Sequence, residues 1–266
     1  MKRNKTEPIW DDDIPVKFFT WKRAVYTAVL VLLLFILSWS AVIYFSLPDV
    51  SYLKKQNPKT TALIEMRKTR AKAKGKRLRV RQNWVSFKRI PKLFRQAVRV
   101  TEDASFYFHE GVDFEELKES IKKDLEKGEF VRGASTITQQ LAKNLYLSTE
   151  KTLIRKLKEY FIARRLEASL GKYRIFHLYL NIIEFGRGVY GVQAASKYYF
   201  KKDVKDLNLE QMVRLTAIIP RPLTLNPKGN NRWLKWKCRW ILGKLLLYKY
   251  IDQGQYDEAV TAFEKK

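Results

Sequence analysis

The most uniform apolar stretch of the chain runs from Ala24 to Leu47, AVYTAVLVLLLFILSWSAVIYFSL, and holds no ionised side chain. Roughly 20 apolar residues cross the hydrocarbon core of a bilayer as a helix, so this run reads as a membrane span. Trp21, Lys22 and Arg23 before it and Pro48-Asp49 after it mark its two edges. The run is too long for the apolar region of a cleavable signal, and no small-x-small cleavage site follows it closely, so an uncleaved anchor is expected. Lys2, Arg3, Lys5, Lys17, Lys22 and Arg23 precede the span while Lys54, Lys55, Lys59, Arg67 and Lys68 follow it. The positive-inside rule therefore gives a cytoplasmic N-terminus only a small preference.

Beyond the span the pattern changes twice. Pro48 to Arg81 is polar, and RKTRAKAKGKRLRVR from Arg67 to Arg81 contains no acid. It reads as a linker or arm, either solvated or in contact with lipid headgroups. From Ile90 the spacing turns helical: PKLFRQAVRV puts Leu93, Phe94, Ala97, Val98 and Val100 on an apolar face, and DFEELKESIKKDLEKG repeats the habit. STITQQLAKNLYL, TLIRKLKEYFIARRLEASLG and YRIFHLYLNIIEFG continue it. Alternating strands are nearly absent, and Gly128, Gly133, Gly171, Gly186, Gly188 and Gly191 suit helix ends or turns. The expected architecture is mainly α, divided into a tail (1–23), a transmembrane helix (24–47), a basic linker or arm (48–84) and one domain (85–266).

Composition adds a constraint on partners. With 53 Lys and Arg against 27 Asp and Glu the net charge is +26, so the chain attracts a polyanion: nucleic acid, an anionic lipid surface or a phosphorylated substrate. No nucleic-acid motif is present, and a membrane span argues against that partner. Cys238 is the single cysteine, which rules out an intramolecular disulfide and suits a small residue packed in a helix. His109 and His177 lack a ligand cluster at metal-binding spacing, so packing or hydrogen bonding is expected for both.

Two segments carry candidate chemistry. EDASFYFHEG sets the carboxylates Glu102 and Asp103 beside Phe106, Phe108 and His109, and a partly apolar setting raises a carboxyl pKa toward that of a usable base. Alone, such a pair is more often a cap or a surface feature. GASTITQQLAKN, Gly133 to Asn144, crowds Ser135, Thr136, Thr138, Gln139, Gln140 and Lys143 into one short stretch, a set suited to a polyol bearing phosphate. GRGVYG, Gly186 to Gly191, has dinucleotide-fingerprint spacing but follows a helical pattern instead of a strand, and is set aside. Trp233, Trp236 and Trp240 in NRWLKWKCRWILGKLLLYKY stand at helical spacing; core packing is preferred over a membrane interface.

These residues, in order, resemble the peptidoglycan glycosyltransferases, found alone or fused to transpeptidases in penicillin-binding proteins. Glu102, Asp103, Phe106, His109, Gly111 and Asp113 look like the first motif, and Gly133 to Lys143 the second, with Ala134 where many members carry glycine. Arg155, Lys156 and Glu159 resemble the third, YLNIIEFG from Tyr179 to Gly186 the fourth, and Glu210 to Pro222 the fifth. The resemblance implies a lysozyme-like helical domain that polymerises glycan strands at the outer face of the cytoplasmic (inner) membrane, from lipid II and a growing lipid-linked glycan. It makes Glu102 the base, with Glu159 assisting, and Asp103, Phe106, Ser135, Thr138, Gln139, Gln140, Lys143, Lys151, Arg155, Lys156, Lys158 and Asn181 substrate-binding. Lys151 stands where some members have arginine, replacing a bidentate fork by a point charge. No cofactor is required by the resemblance; Mg or Mn near the pyrophosphate is left open. Other cell-wall synthesis or division proteins are the expected companions, and cross-linking is left to another protein because the chain ends soon after the fifth motif. The competing readings are a lysozyme-like glycan hydrolase and a non-enzymatic, membrane-tethered basic scaffold.

Overall fold

The computed structural model describes residues 21–127, 135–150 and 152–264. The chain divides after Ser46 into two units. In the first, Trp21–Phe45 forms one helix of 25 residues, α1. At 1.5 Å per residue it is about 37 Å long, enough to cross a hydrocarbon core of about 30 Å. Its mean hydropathy reaches 2.6.

The second unit begins at Leu47 and is built from helices: α2 (Ala62–Lys72), α3 (Lys92–Glu102), α4 (Phe114–Lys127), α5 (Ile137–Tyr146), α6 (Leu153–Ser169) and α7 (Lys172–Ile182) come first. They are followed by α8 (Val192–Phe200), α9 (Leu209–Ile218), α10 (Arg232–Leu247) and α11 (Gln253–Glu264). The sequence supplies their starts. Thr136 accepts from the Gln139 backbone N–H while the Gln139 side chain accepts from the Thr136 N–H, a reciprocal cap that opens α5. Asn208 and Gln211 do the same for α9. Thr152 caps α6 and Asn231 caps α10.

Packing follows two groups. α5 lies against α2, α6 and α7, and α3 against α9 and α10, with α11 on α9 and α10. The apolar face expected in α3 is largely buried: Phe94, Ala97, Val98 and Val100 are each at most 3% exposed. They meet a core that also holds Phe106, Ile137, Leu141, Phe176 and Tyr179.

Three short strands complete the fold, in the order β1 (Arg81–Gln82), β3 (Val189–Tyr190), β2 (Glu184–Gly186). β1 runs parallel to β3, and β2 antiparallel to it. The helical pattern expected through Gly186 therefore stops at Ile182, and Glu184–Gly186 is a wholly buried strand, which shows no alternation to read. GRGVYG forms the turn between β2 and β3 and the entry to α8, with Gly188 and Gly191 at φ +75° and +80°.

The stretch 48–84, read as a linker or arm, is instead part of this unit. Leu53, Leu63, Ile64 and Ala71 are buried, and Leu63 and Ile64 pack with Tyr190. A few apolar residues among many cations suffice to seat α2, while Lys68, Lys72 and Lys74 stay exposed. The Trp-rich C-terminal run also differs from expectation. The buried face of α10 is Leu234, Cys238, Ile241, Leu242 and Leu245, whereas Trp236 is 55% exposed. Cys238 is packed as anticipated, and burial pushes its thiol up to about 12.

Candidate active site

Glu102 is the last residue of α3, delivered to its position by the buried face of that helix. Asp103 breaks the helix with φ −167° and turns its carboxylate inward, where it is 2% exposed. It accepts from the Ile137 backbone N–H at 2.9 Å and from Nε2 of His109 at 3.0 Å. Nδ1 of His109 accepts from the Gly111 N–H at 3.1 Å, so the ring proton lies on Nε2 and points at Asp103. Asp103 thus pins the start of α5 to the end of α3.

That pin sets the reach of Gln140, one turn into α5. Its Nε2 donates to Oε2 of Glu102 at 3.0 Å, and its Oε1 accepts from the Tyr179 hydroxyl at 3.0 Å. Burial, with Glu102 and Asp103 adding, raises the Tyr179 pKa well above its ordinary value, so the phenol stays a donor and fixes which end of the amide faces Glu102.

Glu102 stands in the wall of a cleft of about 700 Å3. Thr101, Ser135, Gln140, Lys143 and Asn144 share this wall, with Ile219, Pro220, Pro222, Lys237 and Trp240 from the chain around α9 and α10. Burial raises the Glu102 pKa above 4.5; the Gln140 hydrogen bond and the charges of Lys237 and Lys143 oppose the rise, and Asp103 adds to it. Lys143 is lowered, first by burial; Glu159 opposes this, and Arg155 and Lys156 add to it. Glu116, also in the wall, is raised by burial and by Asp113. The Thr101 hydroxyl is buried without a hydrogen-bond partner among the described residues.

Behind Lys143 lies a charged cluster on α6. Glu159, 2% exposed, is paired with Arg155 and, at 2.5 Å, with Nζ of Lys156. Lys156 also donates to the Ser135 hydroxyl at 3.1 Å. Both oxygens of Glu159 are engaged by cations, and among the described residues no group of three or more His, Cys, Asp or Glu could hold a metal ion.

The sequence-predicted residues thus separate. Glu102, Ser135, Gln140 and Lys143 line the cleft, and Arg155, Lys156 and Glu159 form the cluster beside Lys143. The others named as substrate-binding do not line it. Asn181 is fully buried and spends its amide on the Val85 backbone and the His177 carbonyl. The Thr138 hydroxyl donates to Glu167, and Gln139 closes the cap of α5. Asp103 is the pin just described, and Phe106 packs against Phe176 and under the Lys172 ammonium. Lys158 is absent from the cleft wall. Lys151, Gly128, Gly133 and Ala134 lie outside the described residues.

Sequence reasoning missed two cations of the cleft. Lys237, on the Trp-rich helix, has its ammonium 3.7 Å from the Trp240 ring centre, and burial lowers its pKa against the pull of Glu102. Its signal was a lysine amid tryptophans, which reads equally well as a membrane-facing or packed helix. Arg67, from the supposed arm, lines the cleft paired with Glu184, Nε to Oε1 at 3.0 Å and Nη2 to Oε2 at 2.7 Å.

Comparison with known proteins places the chain in a family. A transglycosylase family model matches residues 69–246. The biosynthetic peptidoglycan transglycosylase of Nitrosospira multiformis is 38% identical over 197 residues, 74% of this chain and 86% of that one. That of Alcanivorax borkumensis is 38% identical over 222 residues, 84% and 87% respectively. Among solved structures, penicillin-binding protein 1A from Haemophilus influenzae aligns with a TM-score of 0.42 at 21% identity, over 69% of this chain and 18% of that chain. The family match takes in most of the chain, including Glu102, Gln140, Lys143 and Lys237 of the cleft wall, and the chain belongs to the transglycosylase family.

Proposed function

We propose that this enzyme polymerises peptidoglycan glycan strands, joining a growing lipid-linked glycan to the 4-hydroxyl of a lipid-linked disaccharide. The observation that carries the reading is a carboxyl with raised proton affinity, Glu102, set in a cleft within the field of Lys143 and Lys237. Ionised Glu102 takes the proton of the acceptor hydroxyl as that oxygen attacks the anomeric carbon of the donor. The bond to the lipid pyrophosphate breaks on the opposite face, which inverts the centre and gives a β-1,4 linkage, as in an inverting glycosidase with a sugar in place of water.

The departing pyrophosphate gains charge in the transition state, and Lys143 in the cleft wall supplies a compensating cation. Arg155 and Lys156 against the one carboxylate of Glu159 leave the adjoining cluster net positive. Glu159 serves as a positioning residue, holding both cations toward Ser135 and Lys143. A hydrolase cutting finished glycan would have no pyrophosphate for this cluster to meet, which favours the polymerase reading.

The helix α1 serves as a single-pass anchor, keeping the catalytic unit at the outer face of the cytoplasmic membrane, where a lipid-linked substrate is met. Purified protein given lipid-linked disaccharide-pentapeptide in detergent is expected to make glycan strands, and Glu102→Gln to slow this by at least about 100-fold. Strand synthesis at the parent rate by that variant removes Glu102 from the base role. Shortening of preformed strands without extension would make the protein a hydrolase.

A further inference from the structure

A second recess, of about 270 Å3, is also built on α3. Lys92, Arg95 and Gln96 give it one wall, at positions three and four apart that share a helix face. The rest is aromatic. Phe87 meets Tyr173 edge to face at 5.8 Å, and Tyr107 meets Tyr173 at 6.1 Å. Tyr173 is 69% exposed and Tyr107 39%, so both rings are open to solvent.

The charge of this recess is uncompensated. The Arg95 guanidinium lies 4.4 Å from the Phe87 ring centre, and its Nε is buried without a hydrogen-bond partner. Among the described residues, no carboxylate lines the recess. Arg99, one turn further along, has only neutral partners in Gln96, the Ala104 carbonyl and the Tyr250 hydroxyl. A guanidinium pairs with a ligand carboxylate through charge-assisted hydrogen bonds, and the Lys92 ammonium on the same wall adds to the attraction. The open tyrosine rings offer apolar faces with polar tips, suited to the C–H face and the hydroxyls of a sugar.

Arg95 and Glu102 are seven residues apart on one helix, so they lie on nearly the same side with about 10 Å of axis between them. We infer that this recess is a secondary glycan site, taking a carboxylate-bearing saccharide: a stretch of glycan strand with its acidic stem peptide. The inference rests on the reading of the enzyme as a peptidoglycan polymerase.

The test is calorimetric titration of the full chain in detergent, carrying Glu102→Gln, with lipid-free glycan fragments that keep their stem peptides. The same fragments stripped of peptide form the second arm. Peptide-bearing fragments are expected to bind, and stripped ones about tenfold more weakly; Arg95→Lys and Tyr173→Ala should each weaken binding about tenfold. The exposed Tyr173 keeps the test available if the Arg95 variant does not fold. Affinity unchanged in both variants, equal binding of stripped fragments, or no binding at all overturns the inference. An active Glu102→Gln polymerase would defeat the assignment of the base, while the titration would still report on the recess.

Discussion

At the scale of single residues, Glu102 is balanced between burial, which favours its protonated form, and Gln140, Lys237 and Lys143, which favour the carboxylate. Removing a group that stabilises the carboxylate raises the pKa further. Lys237→Met should therefore shift the acid limb of the pH–rate profile to higher pH, with the base protonated over a wider range. An unmoved limb in that variant would uncouple Lys237 from Glu102. The same balance bears on stability. A carboxyl whose folded pKa lies above its unfolded value binds more protons folded than unfolded, so its contribution falls as pH rises through 4.5 and stays low above the folded pKa. Glu102→Gln should thus raise Tm at neutral pH, with the gain shrinking as pH falls toward 4.5 and absent below it. Little of this was legible locally: Glu-Asp after an apolar helix is an ordinary ending, and only the ordered motifs downstream singled out Glu102. They also drew in Asp103, Thr138, Gln139 and Asn181, whose part is to hold the scaffold. A motif records which residues occur together, and buried hydrogen-bonding partners of the site recur there as readily as groups that touch a ligand.

At the scale of elements, the helices were readable because each carries a repeating apolar face and several carry a capping side chain at the start. The sheet was not. β1 and β3 are two residues each and pair across more than a hundred positions of sequence, too short for any alternation to appear. What holds them together is a glycine. Gly188 has φ +75°, its carbonyl accepts from the Arg81 N–H at 2.7 Å, and a Cβ there would stand 2.3 Å from the Arg79 carbonyl oxygen. Since backbone lies on both sides of that contact, Gly188→Ala must push β1 away from β3. The expected cost is at least about 2 kcal/mol, read as a lower urea midpoint. A midpoint equal to the parent's would show that β1 is dispensable to the fold.

At the scale of the whole molecule, the informative error is the supposed linker. Its charge pattern is that of a solvated arm, yet three contacts tie it into the catalytic unit: Leu63 and Ile64 against Tyr190, β1 against β3, and Arg67 on Glu184. Removing residues 47–84 would leave the Glu184 side chain, 6% exposed, without its cation, at about 3 kcal/mol or more. Losing the buried side chains of Leu53, Leu63 and Ile64 adds about 2 kcal/mol each. That total is comparable with the whole stability of an ordinary domain, about 5–15 kcal/mol. A chain starting at Leu47 should accordingly give a cooperative thermal melt by circular dichroism, and one starting at Val85 should be insoluble or melt without cooperativity. Matching melts for the two would return the segment to the status of a linker. The expected difference would place the start of the catalytic unit directly after the membrane helix, and would make Arg67 a part of the cleft that travels with the fold instead of a charge on a tether.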